Sequence, residues 1–384
     1  MWNRKKRNHS AASYFSIIFG LLLAAFGAVS HAAPPDFSVV QPGTLLQFPT
    51  DFGAHPTFRT EWWYVTGWLD TPDHQALGFQ ITFFRSATDH DRNNPSAFAP
   101  SQLVIAHAAL SDPKIGHLLH DQKSARSGFG LAYAKVGNTD VKLSDWHLLR
   151  NADGSYQAQV RTRDFSLQLQ LTPTQPLLLQ GEAGYSRKGP KPEQASYYYS
   201  EPQLKVSGKL MRSNSSSAVS ESAAKSGSPN MEVQGKAWLD HEWSTSVLDA
   251  QATGWDWLGA NLDNGDVLMA FQIRNQRGDT VWSHATLRDK SGQATQFLPE
   301  QIRFQPVRTW RSPRTNATYP VATMISTANM QWQITPLQDD QELDSRRSTG
   351  AVYWEGAVTI QKDGKRVGQG YLEMTGYVKP MKLQ

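Results

Sequence analysis

The sequence predicts an all-β protein made of two tandem antiparallel β-barrels. Three observations carry that prediction. Apolar residues alternate with period two, Gly- and Asn-rich turns separate the alternating runs, and the second half of the chain repeats the first.

The alternation begins after Phe58. Segments 59–69 and 77–85 read as strands around the turn Asp70-Thr71-Pro72-Asp73, and 103–110, 157–160 and 165–171 continue the pattern. Asn151-Ala152-Asp153-Gly154 and Asp263-Asn264-Gly265 supply hairpin turns, because Asn, Asp and Gly tolerate the positive φ such turns need. No amphipathic helix of three turns stands out after the N-terminal segment.

The duplication rests on six matches in one order, with offsets that fall from 193 to 133. Trp62-Trp63-Tyr64 recurs as Trp255-Asp256-Trp257, Phe79-Gln80-Ile81 as Phe271-Gln272-Ile273, and His107-Ala108 as His284-Ala285. Gln170-Leu171-Thr172-Pro173 recurs as Gln333-Ile334-Thr335-Pro336, Tyr199-Ser200-Glu201 as Tyr353-Trp354-Glu355, and Trp238-Leu239-Asp240 as Tyr371-Leu372-Glu373. A falling offset means longer loops in the first copy. The Ser-rich run 213–230 is therefore expected to be a loop between paired strands, although its composition alone suggests a linker. The division expected is 1–32 signal peptide, 33–246 first barrel domain and 247–384 second. Each copy is a meander that removes its free edges by closing on itself, and a small closed barrel can hold one small ligand.

Arg4-Lys5-Lys6-Arg7, the apolar run 14–29 and Ser30-His31-Ala32 have the layout of a secretory signal. The apolar run is shorter than the roughly 20 residues of a spanning helix, and Gly20 and Gly27 interrupt it, which favours cleavage over an uncleaved anchor. A periplasmic or secreted location is the expectation. Those four basic residues are the whole formal charge of +4, from 38 Lys and Arg against 34 Asp and Glu. The remainder is neutral and has no basic cluster, so no nucleic-acid partner is expected. The absence of cysteine excludes disulfides, thiolate metal sites and a Cys nucleophile.

Chemistry concentrates in Trp238-Leu239-Asp240-His241-Glu242-Trp243 and Gly254-Trp255-Asp256-Trp257, at the expected closing strand of one barrel and opening strand of the next. Alternation puts Leu239, His241 and Trp243 on one face and Asp240 and Glu242 on the other. Acid-base groups among rings suit a site in an apolar cavity, where burial moves a carboxylate towards neutrality. The aromatic and acidic cluster is expected where the barrels meet, with Trp63, Tyr64, Trp255 and Trp257 as ligand-binding rings. The plain alternative is that the rings fill a core and the polar groups satisfy backbone. His107 and His284 are equivalent in the two copies and so read as structural. His241 faces Met374 and Asp256 faces Trp63 across the duplication, so the barrel itself demands neither of them.

Glu61-Trp62-Trp63-Tyr64-Val65-Thr66-Gly67, Asp240-His241-Glu242-Trp243, Gly254-Trp255-Asp256-Trp257 and Tyr353-Trp354-Glu355-Gly356 with Gly370-Tyr371-Leu372-Glu373 resemble the AttH/CrtC family. That family contains carotenoid 1,2-hydratases and secreted bacterial proteins often labelled predicted hydrolases and encoded near ABC-transporter permeases. The resemblance implies two lipocalin-like barrels. It also implies a hydratase His-x-Trp pair at His241 and Trp243, with a Tyr and an Asp in the next strand. That strand here reads Asp266-Val267-Leu268-Met269-Ala270-Phe271-Gln272 and carries neither inside it.

There is no Gly-x-Ser-x-Gly elbow and no phosphate-binding glycine loop. Neighbouring strand residues point apart, so a metal site from Asp240, His241 and Glu242 is not expected, and no cofactor is implied. Two functions fit. The first is a periplasmic lipocalin-like protein that binds an apolar lipid or isoprenoid, with an ABC-transporter permease as partner. The second is a hydro-lyase adding water to a C=C bond, with Asp240, His241, Trp243 and Asp256 as catalytic residues: Asp240 or Asp256 as proton donor, His241 as base and Trp243 beside the cation.

Overall fold

The computed structural model describes residues 37–381, apart from 91–93, 97, 213–229, 247 and 328. The export signal expected over 1–32 and nearly all of the Ser-rich run lie outside the described residues. Within them the chain forms strands and two single turns of 3-10 helix, Thr50–Phe52 and Pro299–Gln301.

The first sheet uses β1 (Thr60–Asp70), β2 (Ala76–Ala87), β3 (Gln102–Ser111), β4 (Leu118–Arg126), β5 (Ala132–Ala134), β6 (Asp140–Leu143), β7 (Trp146–Arg150), β8 (Tyr156–Arg161) and β9 (Phe165–Thr172). Short β10 (Leu178–Leu179) and β11 (Tyr185–Arg187) precede the long pair β12 (Ala195–Arg212) and β13 (Met231–Ser244). Neighbours run β4-β3-β2-β1-β13-β12-β9-β8-β7-β6-β5, antiparallel throughout, which curls into a nearly closed barrel. The second sheet uses β14 (Ala252–Leu262), β15 (Val267–Asn275), β16 (Thr280–Arg288), β17 (Ala294–Phe297), β18 (Arg303–Arg311) and β19 (Thr318–Ser326). It ends with β20 (Gln331–Pro336), β21 (Glu342–Asp344), β22 (Val352–Lys362) and β23 (Lys365–Met374), in the order β17-β16-β15-β14-β23-β22-β20-β19-β18.

In each sheet the last strand returns to lie beside the first. β13 pairs with β1 and β23 with β14. The fold is thus two tandem lipocalin-like barrels from a duplication. The strands that flank the Ser-rich run pair with each other out to Leu210 opposite Met231.

Three large cores and a smaller one, in which Ala109 and Leu118 meet Leu343 and Tyr353, hold the described residues together. Trp63, Val65, Phe79, Leu239 and Trp243 are among those that fill the first barrel, and Leu258, Trp332, Trp354 and Met374 the second. A third core lies between the barrels and contains Tyr64, Trp68, Trp238, Trp257, Phe271 and Tyr371. Strands β1, β13, β14 and β23 are therefore buried on both faces, which is why aromatic residues occupy both parities of their sequences. Polar bonds cross the junction as well: Trp68 Nε1 donates to the Gly370 carbonyl at 2.9 Å, and Asn261 Nδ2 to that of Ala237 at 3.1 Å. Contact is close enough that a Cβ on Gly78 would lie 2.4 Å from that of Ala357.

Candidate functional site

Strand alternation divides the chemistry of β13 between two compartments. Leu239, His241 and Trp243 point into the first barrel, and Trp238, Asp240 and Glu242 point to the junction. β1 divides the same way, with Glu61 and Trp63 inward and Trp62 and Tyr64 outward. On β14, Trp255 and Trp257 face the junction while Asp256 turns to the second barrel, held by Arg274 Nε at 3.0 Å, Gln272 Nε2 at 2.6 Å and the Tyr377 hydroxyl at 3.1 Å. The single cluster expected from the sequence is thus corrected. Asp240, Tyr64, Trp255 and Trp257 come together, whereas His241, Trp243 and Trp63 sit in one barrel and Asp256 in the other. The cause is that adjacent strand residues face opposite ways.

Inside the first barrel His241 is fully engaged. Its Nε2 lies 2.9 Å from Glu61 Oε1 and its Nδ1 3.1 Å from the Tyr199 hydroxyl. Glu61 is fully buried and also receives Arg85 Nε at 2.7 Å, the His55 amide at 2.9 Å and His55 Nδ1 at 2.7 Å. Burial opposes its ionisation, but the hydrogen bonds from His241 and His55 and the charge of Arg85 hold it well below the ordinary carboxylate range. Burial brings His241 down to about 4 despite Glu61. His241 is therefore neutral at pH 7. It donates through Nε2 to the carboxylate and accepts from Tyr199 through Nδ1, while its ring stacks on Trp63 with centroids 4.6 Å apart. Trp243 stacks on His55 at 3.7 Å. The ligand atoms of His55, Glu61 and His241 lie within 4.8 Å of one another. An ion there would have to displace these hydrogen bonds and sit beside the Arg85 guanidinium, so the trio fits a closed network better than a metal centre.

The second parity set builds a cavity of 120 Å³ between the barrels. Partly exposed Trp62, Phe84, Leu248 and Trp255 form its mouth. Its floor is acidic. Asp240 accepts from Tyr198 Oη at 2.7 Å, Ser200 Oγ at 2.5 Å and Trp238 Nε1 at 2.6 Å, yet burial outweighs these bonds and pushes it up to about 7. Glu242 pairs with Lys188 Nζ at 2.9 Å and accepts from Ser196. Lys188 is itself buried, with its ammonium 4.6 Å from the ring centres of both Tyr198 and Phe271, and burial lowers its pKa.

Glu355 and Glu373 are direct cross-strand partners on β22 and β23, and both line the cavity. Trp255 Nε1 donates to Glu373 at 2.8 Å, and Glu373 keeps some open surface. Glu355 is buried, and its Oε2 has no hydrogen-bond partner. Burial raises both carboxyls, with repulsion from Glu373 adding to Glu355 and repulsion from Asp240 and Glu242 adding to Glu373; Glu355 moves furthest, so the pair retains a proton at neutral pH.

The sequence alone does not single out this pair. The repeat aligns Glu373 with Asp240, so the duplication by itself accounts for an acid there. It aligns Glu355 with Glu201, which belongs to the first barrel and receives the Tyr156 hydroxyl. The ladders instead set Ser200 opposite Asp240 and Glu355 opposite Glu373, so Ser200 is the structural equivalent of Glu355. A one-residue slip changes the face of every side chain. Lys188 gave no signal, because Ser186-Arg187-Lys188-Gly189-Pro190 reads as a solvated loop.

A search of curated proteins gives no match. A solved protein of Nitrosomonas europaea, provisionally identified as AttH, is 58% identical over 89% of this chain and 100% of its own, with a TM-score of 0.81. Kievitone hydratase from Nectria haematococca shares the fold at 13% identity, covering 89% of this chain and 97% of its own with a TM-score of 0.64. A family model described as AttH-like matches residues 39–377. With nearly all of the described chain inside that match, the protein belongs to the AttH-like family.

Proposed function

We propose that this protein binds an unsaturated lipid or isoprenoid in the junction cavity and adds water across a C=C bond. The observation that carries this reading is the Glu355–Glu373 pair, two carboxyls on adjacent strands beneath a mouth of aromatic rings. The neutral member, Glu355, gives its proton to an alkene carbon. The neighbouring carbon becomes cationic and is stabilised by the faces of Trp62, Trp255 and Trp257. Water attacks that carbon, and the anionic member, Glu373, takes the proton released. Transfer of that proton back to Glu355 restores the pair, so alkene and water give one alcohol. The shared fold of a protein named kievitone hydratase supports this reading. With 1–32 as an export signal, the cavity would work in the periplasm or outside the cell. An ABC-transporter permease, brought in by the family resemblance, is the partner that would supply or receive the ligand.

The test is incubation with an unsaturated isoprenoid in ¹⁸O-water, followed by mass spectrometry. An alcohol bearing one ¹⁸O, formed at least a hundredfold more slowly by Glu355→Gln, supports the reading. A ligand that binds and returns unchanged would make the protein a carrier, with the same cavity and no chemistry.

A further inference from the structure

Three of the four carboxyls on the cavity floor already have partners. Asp240 receives Tyr198, Ser200 and Trp238; Glu242 receives Lys188 and Ser196; and Glu373 receives Trp255. Lys188 is the one ammonium lining the cavity among the described residues, and it is occupied, 2.9 Å from Glu242 and 2.9 Å from Ser186 Oγ. Among the described residues that line the cavity, two buried groups lack a well-formed partner: Glu355 Oε2 has none, and the Tyr64 hydroxyl lies beside the Glu373 carboxyl without full hydrogen-bond geometry. They belong to different barrels and line the same cavity. Unpaired buried polar atoms are costly, so a ligand that satisfies both is favoured over one that satisfies neither.

We propose that the cavity selects an uncharged apolar molecule carrying a hydroxyl group, seated between Glu355 and Tyr64, and that its floor rejects carboxylates. This rests on the junction cavity being the ligand site. A hydroxyl supplies one donor and two acceptors, enough for both open groups. A hydrocarbon supplies none. A carboxylate would enter a floor of four acids and find its only cation already paired. The selection is unlike that of a fatty-acid carrier and matches the alcohol that hydration would leave behind.

Three ten-carbon isoprenoids separate these cases: geraniol, geranic acid and myrcene, titrated at pH 7.5 by tryptophan fluorescence. Geraniol is expected to bind at least tenfold more tightly than either of the others. Tyr64→Phe and Glu355→Leu should each bring geraniol towards the affinity of myrcene, with the thermal transition followed by circular dichroism to confirm folding; Tyr64→Phe, which removes one oxygen, serves if Glu355→Leu does not fold. Geranic acid or myrcene binding as tightly as geraniol overturns the proposal and leaves the cavity as the ligand site. Binding of none of the three, or binding indifferent to Trp257→Ala, overturns the site assignment and the proposal together.

Discussion

Tyr64 and Trp257 meet edge to face across the junction, with ring centroids 5.4 Å apart. Each is the cross-strand neighbour of an acid, Tyr64 of Asp240 and Trp257 of Glu373. They hold the same place on the opening strand of their respective barrels. The bonds from Trp68 to Gly370 and from Asn261 to Ala237 are related by the same duplication, so the junction has approximate two-fold symmetry.

Gly78 lies at a close contact between the two barrels. A valine there would force its side chain onto Ala357 and push the barrels apart. Gly78→Val is expected to lose about 1–3 kcal/mol of stability in urea unfolding, and to lose binding of an apolar ligand. Unchanged affinity would mean the cavity is not the binding site.

His241→Met tests the first-barrel network. The duplication predicts that a methionine is tolerated, since Met374 holds the equivalent position. The structure gives the reason the two sites differ. His241 serves Glu61, and the residue equivalent to Glu61 in the second barrel is Gly254, which has nothing to pair. The variant is expected to lose about 1–3 kcal/mol by leaving Tyr199 and Glu61 short of a partner. Ligand affinity at the junction should be unchanged, because position 241 faces away from it.

Asp240→Asn tests the acidic floor through pH. The folded-state pKa of about 7 lies above the ordinary 3.8, so between those values the folded protein holds a proton that the unfolded chain has released. Stability must fall as pH rises through that window, by a contribution on the order of 4 kcal/mol. The variant should lack that decline. His241, brought down from 6.5 to about 4, works the other way: its contribution is complete above 6.5 and is lost as pH falls towards 4. Urea melts of both variants at pH 4.5, 6 and 8 separate the two trends. Identical slopes in Asp240→Asn and the parent would show that Asp240 is ionised throughout.

Replacing 213–229 with Asn-Gly is expected to leave the thermal transition within a few degrees. The flanking strands already pair up to Leu210 and Met231, and loop closure entropy grows slowly with length. Loss of folding would mean that the segment contributes more than a connection.

The fold could be read in the sequence because period-two alternation and repeat order are local properties of the chain. Even the division of Asp240 from His241 was legible, since adjacent strand residues must point apart. What the sequence hid was register. β12 carries a bulge between Glu201 and Leu204, with Gln203 at φ 54°, and such an insertion changes which residues are equivalent beyond it. The sequence repeat therefore aligns Glu355 with Glu201 rather than Ser200, and the pairing of Glu355 with Glu373 is not visible in it. Lys188 and His55 escaped for another reason: Lys188 pairs with Glu242 and His55 stacks on Trp243, both distant in sequence, and their local surroundings are those of ordinary loops.

The two-fold relation of the barrels across the junction has an evolutionary consequence. A single-barrel ancestor could form the same junction only by pairing with a second copy of itself, and a symmetric pair must place identical residues on both walls. Joining the copies in one chain lifts that constraint. One wall could keep Ser200 beside Asp240 while the other acquired Glu355 beside Glu373. The acid pair exists on one side only, and that asymmetry became open to selection once the barrels were covalently joined.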